Sequence, residues 1–384
     1  MNDLNDIKEY KTASGQTRYK FTIYVGKDAS KAQSIQIRKQ GFKTLEDAIK
    51  CYLDIKDKVK HGEYKQEKHY KYKEVYELWL QSYKDTVKPS TVRNTKQFFK
   101  NHIIKDMGNY YIDKITTAIC QKLTLQWFSE LPKSYKYIFI RASSVMNYAV
   151  NIDLITTNPF KKVMKPKKVE ITKPFDNFYS KEELKTFLNE CKKKRDKRVH
   201  TFFRLLAYTG MRKGEALALK WDDIDFKNRA ISIQRTQSIG EKNKLIIGSP
   251  KTKNSYRTIE IDEVTLNYLQ EWRIEQRQQL FKLGYNALSD SQLVFSNSNN
   301  EMLRPWLVQR WNITIGKHAG LKHISVHGFR HTHASLLFEA GTPMQDVKER
   351  LGHASITTTM NVYTHVTSSH KKQTADNFAK FMEG

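Results

Sequence analysis

Cysteine, long apolar runs and acidic side chains are all scarce in this sequence, and each shortage removes a class of protein. The three cysteines, Cys51, Cys120 and Cys191, stand about seventy residues apart with no CxxC pair. That spacing suits neither a disulfide framework nor a structural zinc site, and it fits a reducing compartment. No apolar run approaches the length of a membrane span, and the opening "MNDLNDIKEYK" has no apolar core of a secretory signal. A soluble cytoplasmic protein with no membrane partner is therefore expected. Acidic residues number 40 against 67 Lys+Arg, leaving a net charge of +27 and a pI near 9.7. The excess is spread over both halves of the chain, which points to a polyanion gripped by several domains. Nucleic acid is the first candidate.

What is present is ample for folding. Hydrophobic residues make up only 39%, yet 20 Tyr, 19 Phe and 6 Trp can fill globular cores, and 384 residues leave room for two or three domains. Residues 1–62 read as a small sheet-plus-helix unit. In "TRYKFTIYV", Tyr19, Phe21, Ile23 and Val25 alternate with Arg18, Lys20, Thr22 and Tyr24, the period of a half-buried strand. A second strand is expected at "SIQIR", followed by a helix capped by Thr44. The sheet would pack one face on that helix and present Arg18, Lys20 and Tyr24 on the other.

Residues 69–160 read as helical. Helices are expected at "VYELWLQSY", at "KPSTVRNTKQFFKNHI" with Ser90 as its cap, and at "KSYKYIFIRASSVMNYAV" before the break at Asn158-Pro159. A basic linker, "KKVMKPKK", marks a boundary, and residues 175–384 are mixed. Ser180 and Glu183 form a capping box, and "HTFFRLLAYTG" ends at Gly210. "AISIQRT" and "SYRTIEI" are strands joined through "SPKTKN". Helices return at "EVTLNYLQEWRIEQ" and "HTHASLLFEAG". Thr342, Pro343 and Gln345 then supply the cap, first-turn proline and capping partner of a helix closed by Gly352.

Four pieces of this last part carry polar residues at helix ends and turns. "TGMRKGEAL" sets Arg212 just past a helix-ending glycine, with Glu215 as its expected support. "SPKTKN" sets Lys251 and Lys253 in a turn. "VHGFRHTHA" puts His327 and Arg330 three apart on one helix face, and "LGHAS" puts His353 past a helix end. Tyr363 follows ten positions after His353. Singly, each is more often a surface charge, a packed aromatic or a satisfied histidine, as His331 and His333 are expected to be. Together they suit transesterification at a phosphodiester. Arginine forks hold two non-bridging oxygens and stay charged, a phenol can attack phosphorus, a lysine can protonate the leaving 5′ oxygen, and a histidine can relay protons. No metal is needed, because the cations do its work.

"TGMRKGE", "PKTK", "HGFRHTHA" and "LGHASITTTMNVYTHV", in this order and at these gaps, resemble the tyrosine recombinase (phage integrase) family. "KPSTVRN" and "YAVNIDLITTNPF" resemble its helical core-binding domain. The first sixty residues resemble the arm-binding domain of integrases from phages and conjugative transposons of Gram-positive bacteria. The resemblance implies a multidomain α+β protein: arm-type DNA binding in 1–62, core binding in 69–160, and in 175–384 a mainly helical catalytic domain with a small antiparallel sheet. It implies Arg212, Lys251, His327, Arg330, His353 and Tyr363 as the catalytic set, with no cofactor and no metal. Lys251 is preferred to Lys253 because it holds the first position of the turn. A 3′-phosphotyrosyl link at Tyr363 would store the bond energy, so integration of a mobile element, with its excision, would need no ATP. The implied partners are double-stranded attachment sites, a homotetramer on two duplexes, and an excisionase or host DNA-bending protein. The late apolar stripe Ala375, Phe378, Ala379 and Met382 would pack on its own core or dock onto a neighbouring protomer.

Other functions remain to be weighed. Asp222, Asp223 and Asp225 in "WDDIDF" could gather a divalent ion for a nuclease or transposase, although no distant carboxylates complete a two-metal site. A non-enzymatic DNA-binding repressor would leave the Arg, Lys, His and Tyr set idle. A type IB topoisomerase or a Xer-type resolvase shares the chemistry but not the N-terminal unit.

Overall fold

The computed structural model describes residues 6–27, 34–61, 69–167, 176–194, 196–250 and 252–353, together with Ser355, Met360, Met382 and Glu383. These residues form two compact units, one running to Lys71 and including Tyr111–Asp113, the other holding the rest.

In the first unit, strands β1 (Ile7–Lys11), β2 (Thr17–Lys27) and β3 (Ser34–Phe42) form an antiparallel sheet in the order β1-β2-β3. Strand β1 was not foreseen, because "IKEYK" is too polar to show alternation. Helix α1 (Leu45–Lys60) begins at Thr44, whose hydroxyl accepts from the Asp47 backbone N–H. Phe21, Ile23 and Ile37 from the sheet meet Tyr52 and Ile55 from α1 in one apolar cluster. Tyr24 lies on the other side, 55% exposed.

The second unit starts with helices α2 (Tyr72–Tyr83), α3 (Pro89–His102), the short α4 (Ile104–Met107), α5 (Thr117–Glu130) and α6 (Tyr135–Asn151). Ser90 is not the cap of α3. Lys88 holds that position and Pro89 the first turn, where the missing N–H costs nothing. Helix α5 went unnamed in the sequence, since Thr116 caps an almost evenly apolar segment with little periodicity. Helix α6 stops at Asn151, well before Pro159, and Asn158 is buried, its side-chain oxygen accepting from the Phe160 N–H.

Next come α7 (Lys181–Lys192), which carries the Ser180/Glu183 capping box, α8 (Lys197–Thr209) and α9 (Lys213–Leu217). Strands β4 (Ile224–Asp225), β5 (Ala230–Ile233) and β8 (Arg257–Glu260) make one antiparallel sheet. Strands β6 (Thr236–Ile239) and β7 (Leu245–Gly248) form a hairpin between β5 and β8. The "SPKTKN" turn thus leads from β7 into β8 and does not join β5 to its partner. Helices α10 (Glu263–Lys282), α11 (Pro305–His318), α12 (Gly328–Glu339) and α13 (Met344–Leu351) complete the described fold. Pro343, not Thr342, occupies the cap position of α13, and Gln345 turns forward to Glu349.

The core of this part gathers Phe187, Phe202, Phe203, Trp272, Phe295 and Phe329 around α8, which is buried along most of its length. No helix among the described residues is long and apolar enough to cross a membrane. The fold is mixed α and β, mostly helical, with small antiparallel sheets.

Candidate active site

Two helix ends and two helix starts build the site. Helix α8 ends in Gly210 at φ +64°, and α13 ends in Gly352 at φ +67°, both in the left-handed region that favours glycine. Space enforces the choice as well. A Cβ at Gly210 would lie 2.6 Å from both His333 and Leu351, and one at Gly352 would lie 2.5 Å from the Asn254 carbonyl oxygen. After Gly352 the chain turns so that the His353 N–H donates to Lys348 O at 3.1 Å, which brings His353 to the site.

A helix C-terminus carries unpaired carbonyls and partial negative charge, and cations settle there. Arg330, only 2% exposed, donates to Gly210 O at 2.9 Å and to Leu351 O at 2.6 Å, bridging the ends of α8 and α13. Burial pushes its guanidinium down to about 9, helped by the charges of Arg212 and Arg257, yet it stays protonated at neutral pH.

Arg212 caps α9 and keeps about a third of its side chain in solvent. It donates to Glu215 at 2.7 Å, and more weakly to Ser255 Oγ and Gly352 O, both at 3.4 Å. Glu215 is 2% exposed and also accepts from Arg257 at 3.0 Å. Burial alone would raise Glu215, but the Arg257 charge and the arginine hydrogen bonds outweigh it and hold the carboxyl below its ordinary value. Arg257 further donates to Arg350 O at 2.8 Å and Ser255 O at 3.1 Å. One buried carboxylate thus organises two guanidiniums.

His327 stands at the cap position of α12, and its ring meets that of His331 edge-on with centroids 4.9 Å apart. The His327 ring keeps surface in solvent, yet its partly desolvated setting, with His331, Arg330 and Arg212 close by, pushes it down to about 4. Desolvation lowers His353 to about 3, assisted by Arg330, Arg212, His327 and His331. Both imidazoles are therefore neutral near pH 7. Asn177 fixes the start of α12 by accepting from the Ser325 N–H at 2.7 Å and donating to Ser325 Oγ at 3.0 Å.

The structure thus brings together four of the six expected residues: Arg212, His327, Arg330 and His353. Lys251 and Tyr363 lie outside the described residues, as does the late apolar stripe except for Met382. Lys253 begins the single turn Lys253–Ser255. His333 has another task, since its Nδ1 lies 2.8 Å from Ala207 O and its Nε2 accepts from Arg350 at 3.1 Å. Sequence reasoning missed Arg257, which read only as part of a strand, and Asn177, which carries no local signal. The "WDDIDF" carboxylates are engaged elsewhere. Asp223 pairs with Arg235, Asp222 lies 3.3 Å from the same guanidinium, and Asp225 accepts from Asn228 and Lys227. Such a set offers no ready cation site.

Against known proteins, residues 177–370 match the phage integrase family, and residues 71–128 match the family's N-terminal SAM-like domain. The chain belongs to the phage integrase family. A tyrosine recombinase XerC-like protein of Caldanaerobacter subterraneus subsp. tengcongensis is 29% identical, over 93% of this chain and 95% of its own. The ICEBs1 integrase of Bacillus subtilis (strain 168) is 27% identical, over 95% and 97%. Among solved structures, the Tn1549 transposon integrase in complex with a circular intermediate DNA superposes with a TM-score of 0.65 at 19% identity, over 80% of this chain and 99% of that one. At that identity the likeness is one of fold. As a family member the protein is a tyrosine recombinase, an enzyme that cleaves and rejoins DNA.

Proposed function

We propose that Arg212, His327, Arg330 and His353 hold the scissile phosphate of an attachment site while Tyr363 attacks it and Lys251 protonates the leaving group. In the forward step the Tyr363 oxygen bonds to phosphorus and the bond from phosphorus to the 5′ oxygen breaks. A neutral site imidazole takes the phenol proton, and the 5′ oxygen takes a proton from the lysine. Rejoining reverses each transfer, and the phosphotyrosyl ester carries the bond energy between the steps. The single observation that supports this most is the cluster of two guanidiniums and two neutral imidazoles where the ends of α8 and α13 meet the starts of α9 and α12. Fixed donors aimed at developing charge are the largest source of rate in such chemistry.

The biological reaction is integration of a mobile element at a specific site, with excision as its reverse. Exchange between two duplexes breaks four strands, and one Tyr363 per chain then requires four protomers. Residues 1–62 take arm-type repeats, residues 69–160 the crossover core, and residues 175–384 the chemistry. The basic, aromatic outer face of the first sheet, with Lys20 and Tyr24, supports the first of these assignments. An excisionase or a host DNA-bending protein completes the assembly.

The test is covalent trapping on a nicked duplex that carries the element's junction, whose sequence follows from the DNA on either side of the gene. Wild type should form an adduct in EDTA, and Tyr363→Phe should bind the same duplex without forming it. An adduct in the Phe variant, or loss of cleavage in EDTA, overturns the assignment.

A further inference from the structure

One group of polar contacts has no part in the chemistry above. Lys88, at the cap of α3, donates to Ser249 O at 2.9 Å, Ser249 Oγ at 3.0 Å and Pro250 O at 2.8 Å. An ammonium has three N–H donors. All three are spent on the two residues that immediately precede Lys251. Beyond that lysine, Thr252 Oγ1 and Ser255 Oγ are hydrogen-bonded at 3.0 Å, and both Arg212 and Arg257 reach Ser255. The turn is therefore tied to α3 before the lysine and to the site arginines after it. Two further contacts fasten α3 to the segment between β6 and β7. Arg93 donates to Asn243 Oδ1 at 2.8 Å, and Lys96 pairs with Glu241.

We propose that Lys88 is a positioning residue for protonation of the leaving 5′ oxygen, acting by placing the turn that carries Lys251. The inference rests on Lys251 being the proton donor. Proton transfer needs the donor within hydrogen-bond reach of the oxygen, so the backbone leading to a lysine donor has to be placed with care. A misplacement of about 1 Å can cost about 100-fold in rate. Holding Ser249 and Pro250 from a packed helix ties down the backbone immediately before that lysine. It also makes placement of the acid depend on α3, an element of the segment assigned to core DNA. The competing role for a lysine on this basic helix is a direct phosphate contact, and the two roles separate cleanly by leaving group.

The experiment uses the full chain and single-turnover cleavage of the nicked junction duplex, made with either a 5′-oxygen or a 5′-sulfur leaving group. Sulfur leaves without needing a proton. Lys88→Met should slow cleavage of the oxygen substrate about tenfold or more, cleave the sulfur substrate at the wild-type rate, and leave DNA affinity unchanged. Ser249→Ala, which removes one of three acceptors, should show a smaller defect of the same kind. Equal slowing on both substrates, weaker binding with a shallower salt dependence, or no effect on either substrate would overturn the proposal. Lys251→Ala is the reference. Sulfur rescue of Lys251→Ala but not of Lys88→Met sinks the inference alone. Failure to rescue either Lys251→Ala or Lys253→Ala removes the proton-donor assignment itself, and the inference with it.

Discussion

At the scale of single residues, the site depends on charges that are buried and mutually held. Arg212 and Arg330 should each be worth about 10²–10³-fold in cleavage rate, by comparison with the loss of one oxyanion donor. Lysine at either position should restore little, because a point charge cannot span two oxygens or two carbonyls. Single-turnover rates near wild type in Arg212→Lys or Arg330→Lys would refute the clamp. Glu215 is buried between two arginines, and its loss leaves the buried Arg257 and the part-exposed Arg212 without their shared counter-charge. Glu215→Gln should cost about 3–5 kcal/mol of stability, the range for breaking a buried pair. A melting temperature within a degree or two of wild type would mean that Glu215 contributes far less. Histidine burial sets the acid response. His200 and His333 are lowered to about 4 and about 3, primarily by burial. Both folded values lie below the ordinary 6.5, so each ring contributes stability that is complete above pH 6.5 and is lost as pH falls towards the folded value. Each should cost up to about 1.4 kcal/mol per pH unit below 6.5. The melting temperature should fall from pH 7 to pH 5, before most carboxylates titrate, and His200→Phe should flatten that slope.

At the scale of elements, the two left-handed glycines decide where the cations sit. Left-handed backbone costs a non-glycine residue about 1–2 kcal/mol before any collision. Alanine at Gly210 collides with side chains of His333 and Leu351, whereas alanine at Gly352 meets the Asn254 backbone oxygen, which cannot move aside alone. Gly352→Ala should therefore lose cleavage more completely than Gly210→Ala, because it shifts His353 and the end of α13 together. Thermal melts and adduct yields of the two variants test that order. Equal, small losses in both would show that the helix ends tolerate displacement.

At the scale of the whole molecule, the charge excess runs through both halves of the chain, whereas the proposed chemistry lies in the second half alone. Deleting residues 1–62 should abolish recombination of full attachment sites yet spare cleavage of a nicked core duplex. The four described members of the proposed site all lie beyond residue 200. Affinity should fall with salt by about 0.9 log units per log of salt for each phosphate neutralised, with a smaller slope for the truncated chain. Footprinting of both proteins on one attachment-site DNA gives the decisive comparison. An unchanged footprint would assign the first unit to another purpose, such as contact with protein.

Read from sequence alone, this protein already disclosed its family, its class of reaction and several of its helix ends. Those features reside in local rules: caps at Thr44 and Ser180, terminating glycines at 210 and 352, and spaced polar motifs that keep their order. Weakly patterned elements stayed hidden, as with polar β1, evenly apolar α5, and the β6–β7 hairpin between paired strands. The grouping around Glu215 was hidden more deeply. Arg212, Arg257 and Arg330 come from separate elements, and what joins them is one buried carboxylate and the carbonyls at the ends of α8 and α13. Local sequence sets where a helix ends; only packing sets which two ends meet, because burial and the balance of charge depend on neighbours distant in the chain.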